Sequence, residues 1–232
     1  MQKTIGILGG LGHSSSALFH KYLVEQCQIL FNRTEDYPHI IIYDFPASDI
    51  VECGNDSNTL KRMLETIALA ISRLEKTGVD FLCIPCNTTF VFIEDISAFT
   101  STPILNIVEE AAKKIHKDKH SRVGILATST TINNGIYRRV FNEFDINVIL
   151  PNTKQQEQID SIIAKIDQGN ATSEDRTLLE SICDSLVSES SVTAIIIACT
   201  CIPVLFNKYE HMSCSIYDSL YTYAESTIAR VM

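Results

Sequence analysis

Apolar positions along this chain follow two alternating patterns: short unbroken runs, and longer stretches where apolar residues recur every three to four positions. The segment "KTIGILGGLGHSSS" (residues 3–16) predicts a buried strand, a glycine-rich turn and a helix capped by serine. Residues 17–31 carry the helical period onward. "HIIIYDFP" (39–46) predicts a second strand ended by Pro46, and residues 58–78 an amphipathic helix stopped at Gly78. "VDFLCIPC" (79–86) predicts a third strand, and "PILNIVEEAAKKIHK" (103–117) a short strand followed by a helix. Strands alternating with helices specify an α/β fold with parallel strands.

The pattern then begins again. "VGILAT" at 123–128 mirrors "IGILGG" at 5–10, "INVILP" (146–151) parallels the second strand, residues 154–190 read as helices, and "AIIIACTCIP" parallels "FLCIPCNTT". The two openings lie 118 residues apart (Gly6 to Gly124) and the two cysteine segments 113 apart (Cys86 to Cys199). Near-equal offsets predict two pseudo-symmetric domains, each a small parallel sheet flanked by helices. The expected bounds are 1–103, completed by 208–232, for the first domain and 104–207 for the second. Ligands of such sheets bind at the carboxyl ends of the strands, so the active site is expected in the cleft between the halves.

Composition narrows the function. With 232 residues, 45% hydrophobic and 20% charged, the chain can bury a sizeable core and has a soluble balance. A net charge of −9 argues against nucleic acid or an anionic membrane as partner, and makes a carboxylate ligand depend on local N–H groups or a local cation. "MQKTIGILGG" does not read as a signal peptide, and "VTAIIIACTCIPVLF" (192–206) is too short and interrupted to span a bilayer. A cytoplasmic protein with reduced thiols is the expectation.

Eight cysteines then demand an account. Cys83-Ile-Pro-Cys86 has the spacing of a redox dithiol, and Cys83, Cys86, Cys199 and Cys201 have the ligand count of a zinc site. Neither context is complete: no thioredoxin-like surround is present, and the two pairs differ in spacing. Cys27, Cys53, Cys183 and Cys214 read as core, and Cys83 as a small buried hydrophobe within a strand. Cys86 and Cys199 differ, because each ends an apolar strand and is followed at once by polar residues, Asn87-Thr88-Thr89 or Thr200. A thiol at a strand–helix turn sits near free N–H groups that favour thiolate. Two such thiols, one from each half, suit inversion of a carbon acid, with a base on one face and an acid on the other. Asn87, Thr88 and Thr200 would hold a carboxylate and the charge spreading into it.

At these residues the chain resembles the aspartate/glutamate racemase superfamily, and within it the aspartate racemase branch. That branch opens Gly-Gly-Met-Gly-Pro; here "GGLGH" keeps Gly9, Gly10 and Gly12 with Leu11 and His13 substituted. Its Arg-Asp-Gln-Glu-His-Pro stretch corresponds to "RTEDYP", keeping Arg33 and Pro38. Pro-Cys-Asn-Thr-Ala-His corresponds to "PCNTTF", the Leu-Ala-Thr loop to "LATSTT", Gly-Cys-Thr-Glu-Ile-Pro to "ACTCIP", and a late Asp-Ser to Asp218-Ser219. The resemblance spans essentially the whole chain. It implies an isomerase, a cofactor-independent amino-acid racemase acting on an acidic or related amino acid, without pyridoxal phosphate or metal, and a homodimer. It implies Cys86 and Cys199 as the acid/base thiols, and Gly10, Leu11, Arg33, Asn87, Thr88, Thr128, Thr131 and Thr200 as substrate contacts. Three positions depart from the branch: Phe90 replaces a histidine, Cys201 a glutamate, and Asp167 a lysine, with Lys165 two positions away. Phe90, Lys165 and Cys201 are therefore possible site neighbours. Turn chemistry and capping are the alternative for Thr128 and Thr131, and a solvated charge for Arg33. Alternative functions are another carbon-acid enzyme of the superfamily, of hydantoin racemase or maleate isomerase type, or a catalytically impaired amino-acid-binding homologue.

Overall fold

The computed structural model describes residues 3–31, 33–46, 57–206 and 214–232. By internal contacts the chain divides into two compact units, Met1–Asn106 with Ala224–Met232, and Ile107–Tyr223.

In the first unit β1 (Ile5–Gly9) is central, flanked by β2 (Ile40–Asp44) and β3 (Phe81–Cys83), all parallel in the order β2-β1-β3. Helix α1 (His13–Leu30) follows β1, α2 (Ser57–Glu75) precedes β3, and a 3-10 turn (Thr88–Phe92) leads into the short α3 (Ile93–Ser97). Ile5, Ile7, Phe19, Leu23, Ile67 and Ile71 are wholly enclosed. The unbroken apolar character of β1 follows from burial on both faces, as parallel strands require.

The second unit repeats this order. It comprises α4 (Ile107–Lys117), β4 (Arg122–Leu126), α5 (Ser129–Asn134), α6 (Ile136–Asn142), β5 (Asn147–Ile149), α7 (Thr153–Asp167), α8 (Ser173–Ser190), β6 (Ala194–Ile197), a 3-10 turn (Ile202–Leu205) and β7 (Ser215–Asp218). Helix α9 (Ser219–Ala229) closes the chain. The sheet order is β5-β4-β6-β7, again parallel. Its first three strands thus match the arrangement of the first sheet. Ile159, Ile162, Leu179, Leu186, Ile195 and Ile202 form its core with Leu126.

A glycine within each central strand explains part of the sequence repeat. A Cβ on Gly6 would lie 2.9 Å from Leu82 Cδ2, and one on Gly124 2.5 Å from Ile195 Cδ1. A Cβ at either position would have to displace the end of a neighbouring side chain.

Three local expectations change. Helix α1 begins at His13 with Gly12 at its cap, and no serine side chain caps it; Ser16 is buried and instead accepts the Gly10 N–H at 3.2 Å. The third strand stops at Cys83 instead of running to Cys86, because Pro85 has no N–H to offer a neighbour and the Cys86 N–H turns back to the Ile84 carbonyl at 2.8 Å. Ser215–Asp218, expected with the first half, pairs with β6 in the second sheet. No described helix is long and apolar enough to cross a membrane.

Candidate active site

In the first unit the candidate site residues other than Arg33 lie on the turns that follow β1 and β3. Gly10 turns the chain with φ +94°, and a Cβ there would meet the Phe45 carbonyl oxygen at 2.1 Å. Only glycine fits this turn, so Gly10 offers backbone alone. Leu11 is half-buried beside it. His13 Nδ1 lies 2.9 Å from Asp44 Oδ2, joining the first turn of α1 to the end of β2.

Cys86 is partly exposed on the turn after β3. Asn87 is buried at 1% exposure, and its carbonyl accepts the Phe90 N–H at 3.1 Å, which closes the 3-10 turn that Thr88 opens. Thr88 is half-buried. Phe90 is fully enclosed, so the position that is histidine in the resembling branch supplies packing here. Cys83 is also fully enclosed within β3, its sulfur 3.5 Å from the Thr227 hydroxyl. The C-x-x-C spacing therefore separates a strand residue from a turn residue. Arg33 stands apart on an exposed turn, Nε 3.4 Å from Glu35 Oε2, with both side chains about two-thirds in solvent. That is the solvated-charge alternative, and the structure does not bring Arg33 to the strand ends.

The second unit carries a thiol of lowered pKa on the turn after β6. Cys199 is partly exposed on the turn after β6. Its sulfur lies 3.3 Å from that of Cys201. Donation of the Cys201 S–H, with the backbone N–H groups of Cys201 and Ile202, holds the Cys199 thiol below its ordinary pKa against the cost of burial and the Asp167 charge. The same contact and burial push Cys201 far up, so it stays a thiol. The strand ends at Ile197; the turn, not the pleat, brings the two sulfurs together. Thr200 between them is buried.

Two further features belong to this unit: Tyr137, which the sequence did not single out, and the Asp218-Ser219 pair, which it offered without an assigned role. Tyr137 is buried, bonded to the Ser219 side chain and pushed well above the usual phenol range, first by burial and then by the charges of Cys199 and Asp218. Asp218 Oδ1 accepts the N–H groups of Leu220 at 2.8 Å and Tyr221 at 3.2 Å, capping α9. The Asp218-Ser219 pair in the sequence was the available signal for this corner. Asp160 accepts the Ser129 N–H at 2.9 Å and the Ser129 hydroxyl, tying α7 to the start of α5.

Thr128 and Thr131 do the capping work. The Thr131 N–H reaches Thr128 Oγ1 at 3.2 Å, and the hydroxyls lie 3.0 Å apart. Thr131 is fully enclosed, while Thr128 is half-buried at the cap. Lys165 Nζ is 2.6 Å from Asp175 Oδ1, and Asp175 in turn accepts the Thr172 N–H at the start of α8. Lys165 therefore secures the α7–α8 connection; the residue of that stretch whose charge reaches Cys199 is Asp167. Among the other thiols, Cys27 and Cys183 are buried and pushed up by that burial. Cys214, expected in the core, is only half-buried, because β7 lies at the edge of its sheet. Cys53 lies outside the described residues.

Comparison with known proteins gives the family and the fold. The Asp/Glu/Hydantoin racemase family matches residues 8–227. The broad-specificity amino-acid racemase RacX of Bacillus subtilis (strain 168) is 33% identical over 227 residues, covering 97% of this chain and 96% of that protein. The glutamate racemase of Aquifex aeolicus is 28% identical over 102 residues, 40% of each chain. Among solved structures, an aspartate racemase homologue from Pyrococcus horikoshii OT3 superposes with a TM-score of 0.85 at 22% identity, covering 100% of this chain and 99% of that one. The aspartate racemase of Picrophilus torridus does so at 0.83 and 23%, covering 99% and 94%. At such identities the structures establish the fold alone. The match along nearly the whole sequence establishes more: the chain belongs to the Asp/Glu/Hydantoin racemase family.

Proposed function

We propose that this chain, an amino-acid racemase of that family, inverts Cα of an acidic or related amino acid with two cysteine sulfurs. Cys199 in the thiolate form takes the Cα proton from one face, and Cys86 as thiol gives its own proton to the other. The product leaves Cys199 protonated and Cys86 ionised, ready for the reverse direction. As the proton departs, negative charge spreads into the substrate carboxylate. Asn87, Thr88 and Thr200, with the turn N–H groups beside them and the Gly10–Leu11 backbone, are the groups proposed to receive it; Thr128 is proposed at the amino group.

The observation that carries this reading is the Cys199 turn. A partly exposed sulfur that draws an S–H and two N–H groups is built to be ionised. Cys86 occupies the corresponding turn after β3. Cys201, standing where the resembling branch has glutamate, supplies a hydrogen-bond donor to the thiolate, which favours a working enzyme over an impaired binder. A homodimer and a cytoplasmic setting belong to the same proposal; light scattering and cell fractionation check them.

The test is deuterium uptake at Cα in D2O, run on both enantiomers of aspartate, glutamate, asparagine, glutamine and alanine. The wild-type chain is expected to exchange and invert at least one of them. Cys86→Ala and Cys199→Ala each lose inversion by roughly a hundredfold or more. Each retains exchange of only one enantiomer, and the two variants retain opposite ones. Inversion that survives in either variant would overturn the two-thiol reading.

A further inference from the structure

We propose that Cys199 and Cys201 are a hydroperoxide-responsive dithiol, closed by oxidation to an intrachain disulfide and reopened by thiol reductants. Three observations carry it. The sulfurs lie 3.3 Å apart across a single intervening residue. The two differ in access, Cys199 being partly exposed and Cys201 buried at 5%. The same contact lowers the Cys199 thiol and raises that of Cys201, which makes Cys199 the nucleophile and Cys201 its proton-bearing neighbour. All the described cysteines are free thiols.

The steps balance without a further reagent. The Cys199 thiolate attacks one oxygen of hydrogen peroxide; the O–O bond breaks, hydroxide leaves, and Cys199 becomes a sulfenic acid. The Cys201 sulfur then attacks the Cys199 sulfur. The S–O bond breaks, the S–S bond forms, and the departing oxygen takes the Cys201 proton as water. The sulfurs must approach by roughly 1.3 Å to reach a bond of about 2.05 Å, a movement the irregular turn Ala198–Cys201 absorbs more readily than a strand would. Because Cys199 remains partly in solvent, an incoming thiolate can reach the disulfide and reverse it. The loss of activity on closure rests on Cys199 being a reagent in the proposed function; formation of the disulfide does not.

The experiment exposes the full-length protein to graded hydrogen peroxide, alkylates the remaining thiols, digests it and weighs the peptide holding residues 199 and 201, with racemisation followed in parallel. The expected peptide is lighter than the dithiol by about 2 Da, unalkylated, and restored by dithiothreitol. Racemisation falls roughly a hundredfold or more as it forms and returns with the reductant. In Cys201→Ser the lighter species is absent, Cys199 proceeds to sulfinic acid, and the loss is no longer reversed. The Cys86→Ala variant, inactive by the proposed mechanism, still forms the lighter peptide. Alkylation of both thiols after peroxide treatment, sulfinic acid on wild-type Cys199 without the lighter species, or pairing of either residue with another cysteine overturns the dithiol. Formation of the disulfide with racemisation untouched overturns the switch. Formation of the disulfide in a protein that racemises nothing leaves the dithiol standing and removes the proposed function alone.

Discussion

At the scale of single residues, the acidity of Cys199 is a balance of named groups that substitution can tip in either direction. The Cys201 S–H is the foremost cause holding Cys199 below an ordinary thiol, and the Asp167 charge opposes it. Cys201→Ala removes the donor, so the acidic limb of the kcat/KM profile for the Cys199-as-base direction moves to higher pH. Because a hydrogen bond to a charged group contributes about 1.5–3 kcal/mol, the rate at neutral pH falls roughly ten- to hundredfold. Cys201→Ser keeps an O–H donor and lies between alanine and wild type. Asp167→Asn removes the opposing charge and moves the limb to lower pH. A profile unmoved by all three variants would show that the neighbours do not tune this thiol. The sequence pointed to Cys199 because a polar residue follows a buried apolar run. It named Cys201 as a possible neighbour but could not give the sulfur contact, since that depends on the strand ending at Ile197 and the chain turning, and strand length is the property that periodicity reports least well. Tyr137 was out of reach for a simpler reason. A tyrosine on an amphipathic helix looks like packing until its hydroxyl is seen to meet Ser219.

At the scale of elements, the turn after β1 and the stop after α2 show two uses of a left-handed glycine. Gly78 has φ +78° with nothing within 4 Å of a Cβ, so Gly78→Ala meets only the backbone preference, about 1–2 kcal/mol. Gly10 has φ +94° and a Cβ would also run into the Phe45 carbonyl. Backbone atoms of β2's exit cannot swing aside as a side-chain end can, so Gly10→Ala costs more than Gly78→Ala. It also displaces the loop that holds Ser16 and Leu11. Urea denaturation is expected to show a midpoint drop larger for Gly10→Ala, with the slope unchanged in both. Equal drops would mean that the β1 turn relaxes freely. Glycine announced both turns in the sequence, as a cluster at Gly9, Gly10 and Gly12 and as the lone Gly78, since little else tolerates positive φ. What the glycines did not announce was the cap of α1. Three consecutive serines invited a side-chain cap, whereas the chain buries Ser15 and Ser16 and spends Ser16 on the Gly10 N–H. A cap and an interior turn bond use the same side chain, and only tertiary burial chooses between them.

At the scale of the whole molecule, the duplicated strand order was legible because each sheet repeats a buried run, a turn and a glycine in register, down to the Gly6 and Gly124 positions. Ser215–Asp218 was not, because an edge strand four residues long and half exposed carries little periodic signal. The buried titratable groups spread through the fold then set its response to alkali. Burial raises the thiols of Cys27 and Cys183 and the phenol of Tyr137, the S–H contact with Cys199 raises Cys201 foremost, and burial also raises Tyr217. A raised folded pKa means the unfolded chain releases its proton first. Unfolding therefore gains free energy once pH exceeds the unfolded values, 9.0 for the thiols and 10.0 for the phenols. Each such group that stays protonated in the fold subtracts up to about 1.4 kcal/mol of stability per pH unit in that range. Cys199, with a lowered pKa, works the other way. Its contribution is present at alkaline pH and is lost as pH falls through its folded value, so it does not offset the alkaline decline. The melting temperature, followed by circular dichroism under reductant, is expected to hold between pH 7 and about pH 8.5 and to fall steadily above pH 9. Self-repulsion of a chain already carrying −9 pushes in the same direction, but 1 M salt shortens its reach to about 3 Å and leaves burial untouched. The decline is thus expected to persist in high salt and to flatten in Cys183→Val, which removes one buried titrating thiol at little change in volume. A decline abolished by salt would assign it to surface charge, and one unchanged in Cys183→Val would remove that thiol from the account.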